Sequence, residues 1–216
     1  MDKSTTLGRY KALMTILLLG PATPMLFQGQ EFLSSAPFTY FAHHEPELAA
    51  AVAKGRRESL TKFRSMNNAA LLDALPLPHD VANFEQCKLD MSERTRNADF
   101  YGMVEFLLKL RREDAIFSKP ESYQVDGAVL APEAFVLRFS AEDEVRLITI
   151  NLGADLHLAP CPEPLLACPI NTKWDQIFST EAPCFGGSGA PVVCDFGQEY
   201  LPAHSAAVLA SIRTEH

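Results

Sequence analysis

Gln28, Gln30 and Glu31 cluster at the end of the run Pro21 to Phe32, and the aromatic residues Phe38, Tyr40 and Phe41 follow closely. Amides and carboxylates provide the directional hydrogen bonds that hydroxyl-rich ligands require, and aromatic rings offer flat apolar faces to sugar rings. Two readings fit the polar trio: lining a sugar pocket, or capping the rim of a sheet and bonding to neighbouring loops. Phe38, Tyr40 and Phe41 likewise fit a stacking platform or the apolar interior of a loop. Glu31 is the one carboxylate expected at a strand end; Glu47, Glu58, Glu93 and Glu105 fall in helically patterned segments and are expected to face water.

Other reactive types are scattered. His43-His44-Glu45 superficially suggests a metal, but adjacent side chains point apart and the helical spacing of ligating histidines is missing, so a solvated loop or helix start is expected. Gly186-Gly-Ser-Gly189 lacks the Lys and the strand-to-helix context of a phosphate loop and reads as a tight turn. His79, His157 and His204 lie in unrelated contexts, so no nucleophile–base arrangement is assigned. The five cysteines, Cys87, Cys161, Cys168, Cys184 and Cys194, form no Cys-x-x-Cys, which argues against zinc and fits a reducing compartment.

The elements that must position these groups begin with a helix. Ser4 is its expected N-cap, Leu7, Tyr10, Met14, Leu17 and Leu18 share a face, and Gly20 and Pro21 end it. Pro24 then opens the apolar run Met25-Leu26-Phe27, which turns polar at Gln28. An apolar strand ending in amides and a carboxylate suits the carboxyl end of a parallel strand, where α/β enzymes keep their ligands. A second helix is predicted over 47–64, and 70–95, rich in Pro, Asp and Asn, reads as a long connection. Phe100, Val104, Leu107, Leu108 and Arg111 mark a strong amphipathic helix whose Leu-Arg-Arg-Glu-Asp end is expected in water. From about Ile116 the pattern changes to short strands at 134–139, 145–151, 174–178 and 206–212, an antiparallel sandwich.

With those segments in view, residues 7–66 resemble the final helix, strand and helix of the α-amylase-type glycoside hydrolase barrel. Thr23-Pro-Met-Leu-Phe-Gln-Gly-Gln-Glu-Phe32 is similar across that family. Pro37-Phe-Thr-Tyr-Phe-Ala-His-His-Glu-Pro-Glu-Leu48 and Gly55-Arg-Arg-Glu58 narrow the resemblance to its trehalohydrolases and some branching enzymes. Leu107-Leu-Lys-Leu-Arg-Arg-Glu-Asp114, Leu156-His-Leu-Ala-Pro-Cys-Pro-Glu-Pro-Leu-Leu166 and Phe185-Gly-Gly-Ser-Gly189 resemble the end of a trehalohydrolase in the same order, so the match runs from about Leu7 to Leu209. Cys184 and Phe178 stand where Arg-like and Trp-like residues are expected, which puts carbohydrate contact there in doubt.

The resemblance implies an α+β chain: the last β/α elements of a TIM-type (β/α)8 barrel over 1–66, a connecting loop and helix over 67–114, and a C-terminal antiparallel β-sandwich over 115–216. It implies hydrolysis, by the intact enzyme, of the α-1,4-glucosidic bond next to the trehalose end of malto-oligosyltrehalose or a related malto-oligosaccharide, with release of trehalose. A retaining glycosidase uses two carboxyl groups about 5–5.5 Å apart. The family takes them from earlier strand ends, expected before Met1. No catalytic residue, metal ligand or cofactor is therefore assigned, and the chain alone is expected to be inactive. Gln28, Gln30, Glu31, Phe38 and Tyr40 are the candidate substrate contacts. The alternative is a non-catalytic α-glucan-binding or protein-interaction module.

Composition agrees with a partial enzyme. A whole barrel takes about 250 residues, and this chain has 216, of which 47% are hydrophobic and 21% charged. A net charge of −8 disfavours nucleic acid and anionic membranes as partners. The apolar run Leu13–Gly20 is far shorter than the roughly 20 residues of a membrane span and lacks a signal-type cleavage site, so a cytoplasmic location is expected. The unpaired edges of a lone barrel strand invite self-association.

Overall fold

The computed structural model describes residues 5–142, 144–158, 163–192 and 199–214. The chain divides into two compact units, one formed by residues 1–33 and 94–216, the other by 34–93. These do not follow the expected boundaries at 66 and 114.

The first unit is built on a five-stranded antiparallel sheet. Its strands are β1 (Gln124–Ala131), β2 (Ala134–Ala141), β3 (Glu144–Asn151), β5 (Thr172–Ser179) and β7 (Ser205–Arg213), in the order β1-β2-β3-β7-β5. A separate two-stranded sheet pairs β4 (Leu156–Leu158) with β6 (Glu199–Leu201). Alternation along the strands divides the side chains between two faces. Phe139, Ile148, Ile150, Val208 and Phe178 pack against Met14, Leu18, Phe100, Met103 and Leu107 of helices α1 (Leu7–Leu19) and α6 (Ala98–Glu113). On the opposite face Val136, Leu147 and Leu209 meet Leu166 and Trp174. The segment carrying Leu166 is held there by Arg138, which donates to the carbonyls of Leu165 and Ala167 at 2.9 and 2.6 Å, and by the Trp174 indole N–H, which donates to Leu166 O at 2.9 Å. The antiparallel C-terminal domain is thus present, with helices over one face of its main sheet. β1 is an edge strand with weak alternation and β4 and β6 are three residues each, which is why none was predicted.

α1 is capped by Thr6, whose hydroxyl accepts from Arg9 N at 3.2 Å; Ser4, the expected cap, lies outside the described residues. Its buried face is Lys11, Ala12, Met14, Thr15, Leu18 and Leu19, while the expected core residues Leu7 and Leu17 are exposed. The end of α6 faces water as expected at Arg112 and Glu113, but not at Arg111 and Asp114. Arg111 donates to the carbonyls of Leu18, Gly20 and Ala22 at 2.7, 2.9 and 3.0 Å, closing the C-terminus of α1. Asp114 pairs with the buried Arg146 at 2.9 Å.

The expected barrel strand is the main correction. Residues 23–27 form no regular element, Met25 is 85% exposed, and the chain turns at Gly29 (φ 82°) into a short 3-10 helix, Gln30–Phe32. A strand is stable only when its backbone groups find a ladder, and among the described residues no strand pairs with this segment. The residue it buries is Phe32, with no exposed surface, and not the Met25–Phe27 run.

The second unit holds α2 (Pro46–Leu60), α3 (Ala69–Asp73) and α4 (Val81–Gln86), and ends as α5 (Glu93–Arg96) begins. The polar stretch 70–95 is therefore not one long connection: it carries α4 and the start of α5, with α3 capped just before it by Asn68 and α4 capped by Asp80. Asn68 Oδ1 accepts from the N–H groups of Ala70 and Leu71, and Asp80 Oδ1 accepts from that of Ala82. Pro46 opens α2 at the position where its missing N–H costs nothing.

Candidate functional site

The structure divides the candidate residues between the units. Gln28, Gln30 and Glu31 belong to the first, and Phe38 and Tyr40 to the second.

In the first unit the segment is fixed at Phe32, whose carbonyl accepts from Asn97 Nδ2 at 2.8 Å. Gln30 turns back on its own backbone, its Oε1 accepting from Phe27 N at 2.6 Å, and its side chain also meets the Tyr10 hydroxyl. Burial pushes the Tyr10 phenol up; the Gln30 hydrogen bond opposes this and the Glu31 charge adds to it. Gln30 thus shapes the turn, Gln28 is exposed, and Glu31 is half-buried.

A polar cleft of about 360 Å³ lies in the same unit, lined in part by Lys11, Arg96, Asn97, Asp99 and Phe185. Lys11 is 4% exposed and donates to Phe185 O at 2.5 Å. Burial drives its ammonium below the usual lysine value, against the opposing charges of Glu181 and Asp99. The Gly186–Gly189 loop beside it is a tight turn, as expected: Gly186 and Gly189 have φ of 68° and 80°, and a Cβ on Gly187 would lie 2.2 Å from the Glu181 carbonyl carbon. It cradles a side chain of its own chain, since Glu181 Oε2 accepts from Ser188 N and Oγ.

In the second unit the loop after Pro37 is held by Asn83, which is fully buried. Its amide donates to the carbonyls of Tyr40 at 2.7 Å and Leu77 at 3.3 Å, and its oxygen accepts from Gln86 Nε2 at 3.0 Å and from the Thr39 hydroxyl. Tyr40 adopts a left-handed backbone (φ 63°), and Arg56 lies 4.9 Å over its ring while donating to Thr39 O. One face of Tyr40 is therefore already covered. Phe38, 49% exposed, meets Phe41 edge-on at 5.8 Å, and Phe41 meets Phe84 at 5.0 Å. Phe41 and Phe84, with His43, Pro78, His79, Asp80 and Val81, line a cleft of about 400 Å³. Sequence reasoning did not join these residues, because nothing local signals that 41–43 and 78–84 face each other; the link is made by Asn83.

Expected water-facing acids are exposed at Glu47, Glu58 and Glu105 but not at Glu93, which is buried and accepts from Ser35 N at 3.0 Å. Among the described residues no group of His, Cys, Asp or Glu is arranged to hold a metal, and no helix is long and apolar enough to cross a membrane. Cys87, Cys168 and Cys184 are free thiols; Cys161 and Cys194 lie outside the described residues. Phe178 is 3% exposed, in the core with Phe106 and Phe185, so it offers no surface to a sugar.

The fold is shared with parts of larger solved structures. A Salmonella typhimurium protein carrying a provisional alpha amylase name superposes on 95% of this chain and 31% of its own, with a TM-score of 0.66 and 22% identity. Bacillus licheniformis trehalose-6-phosphate hydrolase does so over 95% of this chain and 39% of its own, with a TM-score of 0.57 and 16% identity. Residues 124–208 match the family described as Domain of unknown function (DUF3459).

Sequence similarity is narrower. Malto-oligosyltrehalose trehalohydrolase of Deinococcus radiodurans is 33% identical over 156 residues, which are 69% of this chain and 24% of that protein. The enzyme of the same name from Arthrobacter ramosus is 36% identical over 124 residues, 56% of this chain and 21% of that protein. The chain is a relative of the C-terminal part of malto-oligosyltrehalose trehalohydrolases, within the α-amylase-type glycoside hydrolases. It spans less than a quarter of the length of these relatives.

Proposed function

We propose that the chain is the C-terminal part of a trehalohydrolase, and that these 216 residues do not hydrolyse glucan alone. On this reading residues 1–66 correspond to the end of the barrel, 67–114 to a connection and 115–216 to the terminal domain. The whole protein cleaves the α-1,4 bond beside the trehalose end of malto-oligosyltrehalose, in the cytoplasm. The observation that carries the reading is the 156-residue similarity to the Deinococcus radiodurans enzyme. Gln28, Glu31, Phe38 and the open face of Tyr40 contact substrate in the intact enzyme, and Gln30 positions Gln28 and Glu31 by shaping their turn.

The test is incubation of the pure chain with malto-oligosyltrehalose followed by assay of free trehalose. No release is expected, and turnover refutes the inactivity of the isolated chain. Exposed Leu13, Leu17, Met25 and Phe27 also favour self-association of the isolated chain, and a monomer by sedimentation refutes that part. A second reading, an α-glucan-binding module, is favoured by the cleft at Phe41 and Phe84.

A further inference from the structure

We propose that residues 34–93 form an order–disorder switch: they open as one body while the other unit stays folded, and Asn83 sets the balance between the two states. The chain crosses between the units only at 33–34 and 93–94. Each unit closes that junction with a bond of its own. In the first, Asn97 Nδ2 donates to Phe32 O at 2.8 Å; in the second, Ser35 N donates to Glu93 Oε2 at 3.0 Å. The Phe32–Asn97 bond keeps both ends of 34–93 anchored, so the stretch between them can lose its order without pulling on the sheet or its helices. Leu33, at the crossing, holds a left-handed backbone (φ 56°), a conformation that costs energy in a residue with a side chain.

The interiors of the two units differ in kind. Within 34–93 the buried apolar side chains are Ala49, Leu72 and Cys87, and α2, fifteen residues long, buries Ala49 alone. The first unit buries Leu18, Met103, Leu107, Ile148 and Ile150 with no exposed surface at all. Hydrophobic stabilisation scales with the apolar area taken from water, so 34–93 is the weaker of the two. Weak units of this kind open below the free energy of global unfolding, and loops that contact ligands are drawn from them.

A polar hub holds the second unit where a core would otherwise do so. Asn83, fully buried, is bonded at once to Thr39, Tyr40, Leu77 and Gln86. Three stretches of chain therefore share one side chain, and freeing any of them leaves buried groups of the others unpaired, which makes opening all-or-none where a simple loop would fray. Phe38 and Tyr40 belong to this unit, so they meet substrate only while it is ordered; that consequence rests on the trehalohydrolase reading, and the opening itself does not.

Native-state amide hydrogen exchange on the full 216-residue chain tests this. The amides of Ala42, Leu72 and Phe84, which donate to Pro78, Asn68 and Asp80 in separate stretches, are expected to share one opening constant within about threefold, with protection at least about 100-fold below that of the β3–β7 pair. Asn83→Ala should lower all three about tenfold or more and leave β3 and β7 unchanged. Where that variant exchanges too fast to follow, Arg56→Ala, which takes one donor from Thr39 O, should lower them about threefold. Arg111→Ala, a loss confined to the first unit, should leave 34–93 unchanged. Equal protection in the two units overturns the proposal. So do unrelated opening constants for the three amides, or an Asn83→Ala effect as large in β3 and β7 as in 34–93. Each of these outcomes leaves the trehalohydrolase reading standing, and trehalose release from the isolated chain leaves the switch standing.

Discussion

Replacing Arg146 on β3 gives the sharpest test of how the helices are tied to the sheet. Its side chain is 9% exposed and that of Asp114 is 7%, with Nε 2.9 Å from Oδ2. Burial works against the guanidinium charge, but hydrogen bonds to Glu144 and Asp114 and their charges outweigh it, leaving Arg146 above its ordinary value. Asp114 meanwhile accepts from Ile116 N at 2.9 Å and Phe117 N at 3.2 Å, shaping the turn that delivers both side chains to the core. Arg146→Met keeps the bulk but strands a buried carboxylate, a loss of about 3–5 kcal/mol. Asp114→Asn keeps the Oδ1 acceptor and leaves Arg146 its bond to Glu144, so about 1.5–3 kcal/mol is expected. Glu144 is 53% exposed, and water screens it, so Glu144→Gln should cost no more than about 1 kcal/mol. In the double variant the two buried losses overlap, so its cost should fall short of the sum by about 1–3 kcal/mol. Urea unfolding followed by the fluorescence of Trp174, the single tryptophan, reads all four from the same sheet. A cost below about 1 kcal/mol for Arg146→Met, or strict additivity, would sink the argument.

Arg111→Lys offers one ammonium where three carbonyls are spanned by a planar fork, so it should rescue little of the roughly 1–2 kcal/mol lost in Arg111→Ala, measured in the same urea assay; equal stability of Lys and Arg would show that charge alone holds the end of α1. The Tyr10 phenol is raised by burial first, so the fold favours its protonated form. That stability is complete below pH 10.0 and lost as pH rises through the folded value. Tyr10→Phe should therefore lose less stability than wild type between pH 9 and pH 11, by urea midpoint, and an equal loss would show that Tyr10 is not the group titrating.

How far the sequence could be read depended on where each element finds its partners. α6 and strands β2, β3, β5 and β7 were legible because a periodic apolar face is enough to place them; whatever covers Val104, Leu107, Ile148 or Ile150 need not be known in advance. The segment 23–32 failed by the same logic. Its apolar run and polar end are a strand's pattern, but a strand is a relation between two stretches of chain, and no partner is present among the described residues. The candidate site divides likewise. Gln28, Gln30 and Glu31 could be named from residue type alone, whereas the cleft of Phe41 and Phe84 exists only because Asn83 reaches Tyr40 and Leu77 at once. An asparagine three residues into a short helix gives no sign of that in sequence, since its type fits a solvent-facing position as well as a buried hub. Residues that act by joining distant segments are therefore the ones to look for in structure, and in this chain they include Asn83, Arg111, Asp114 and Arg146.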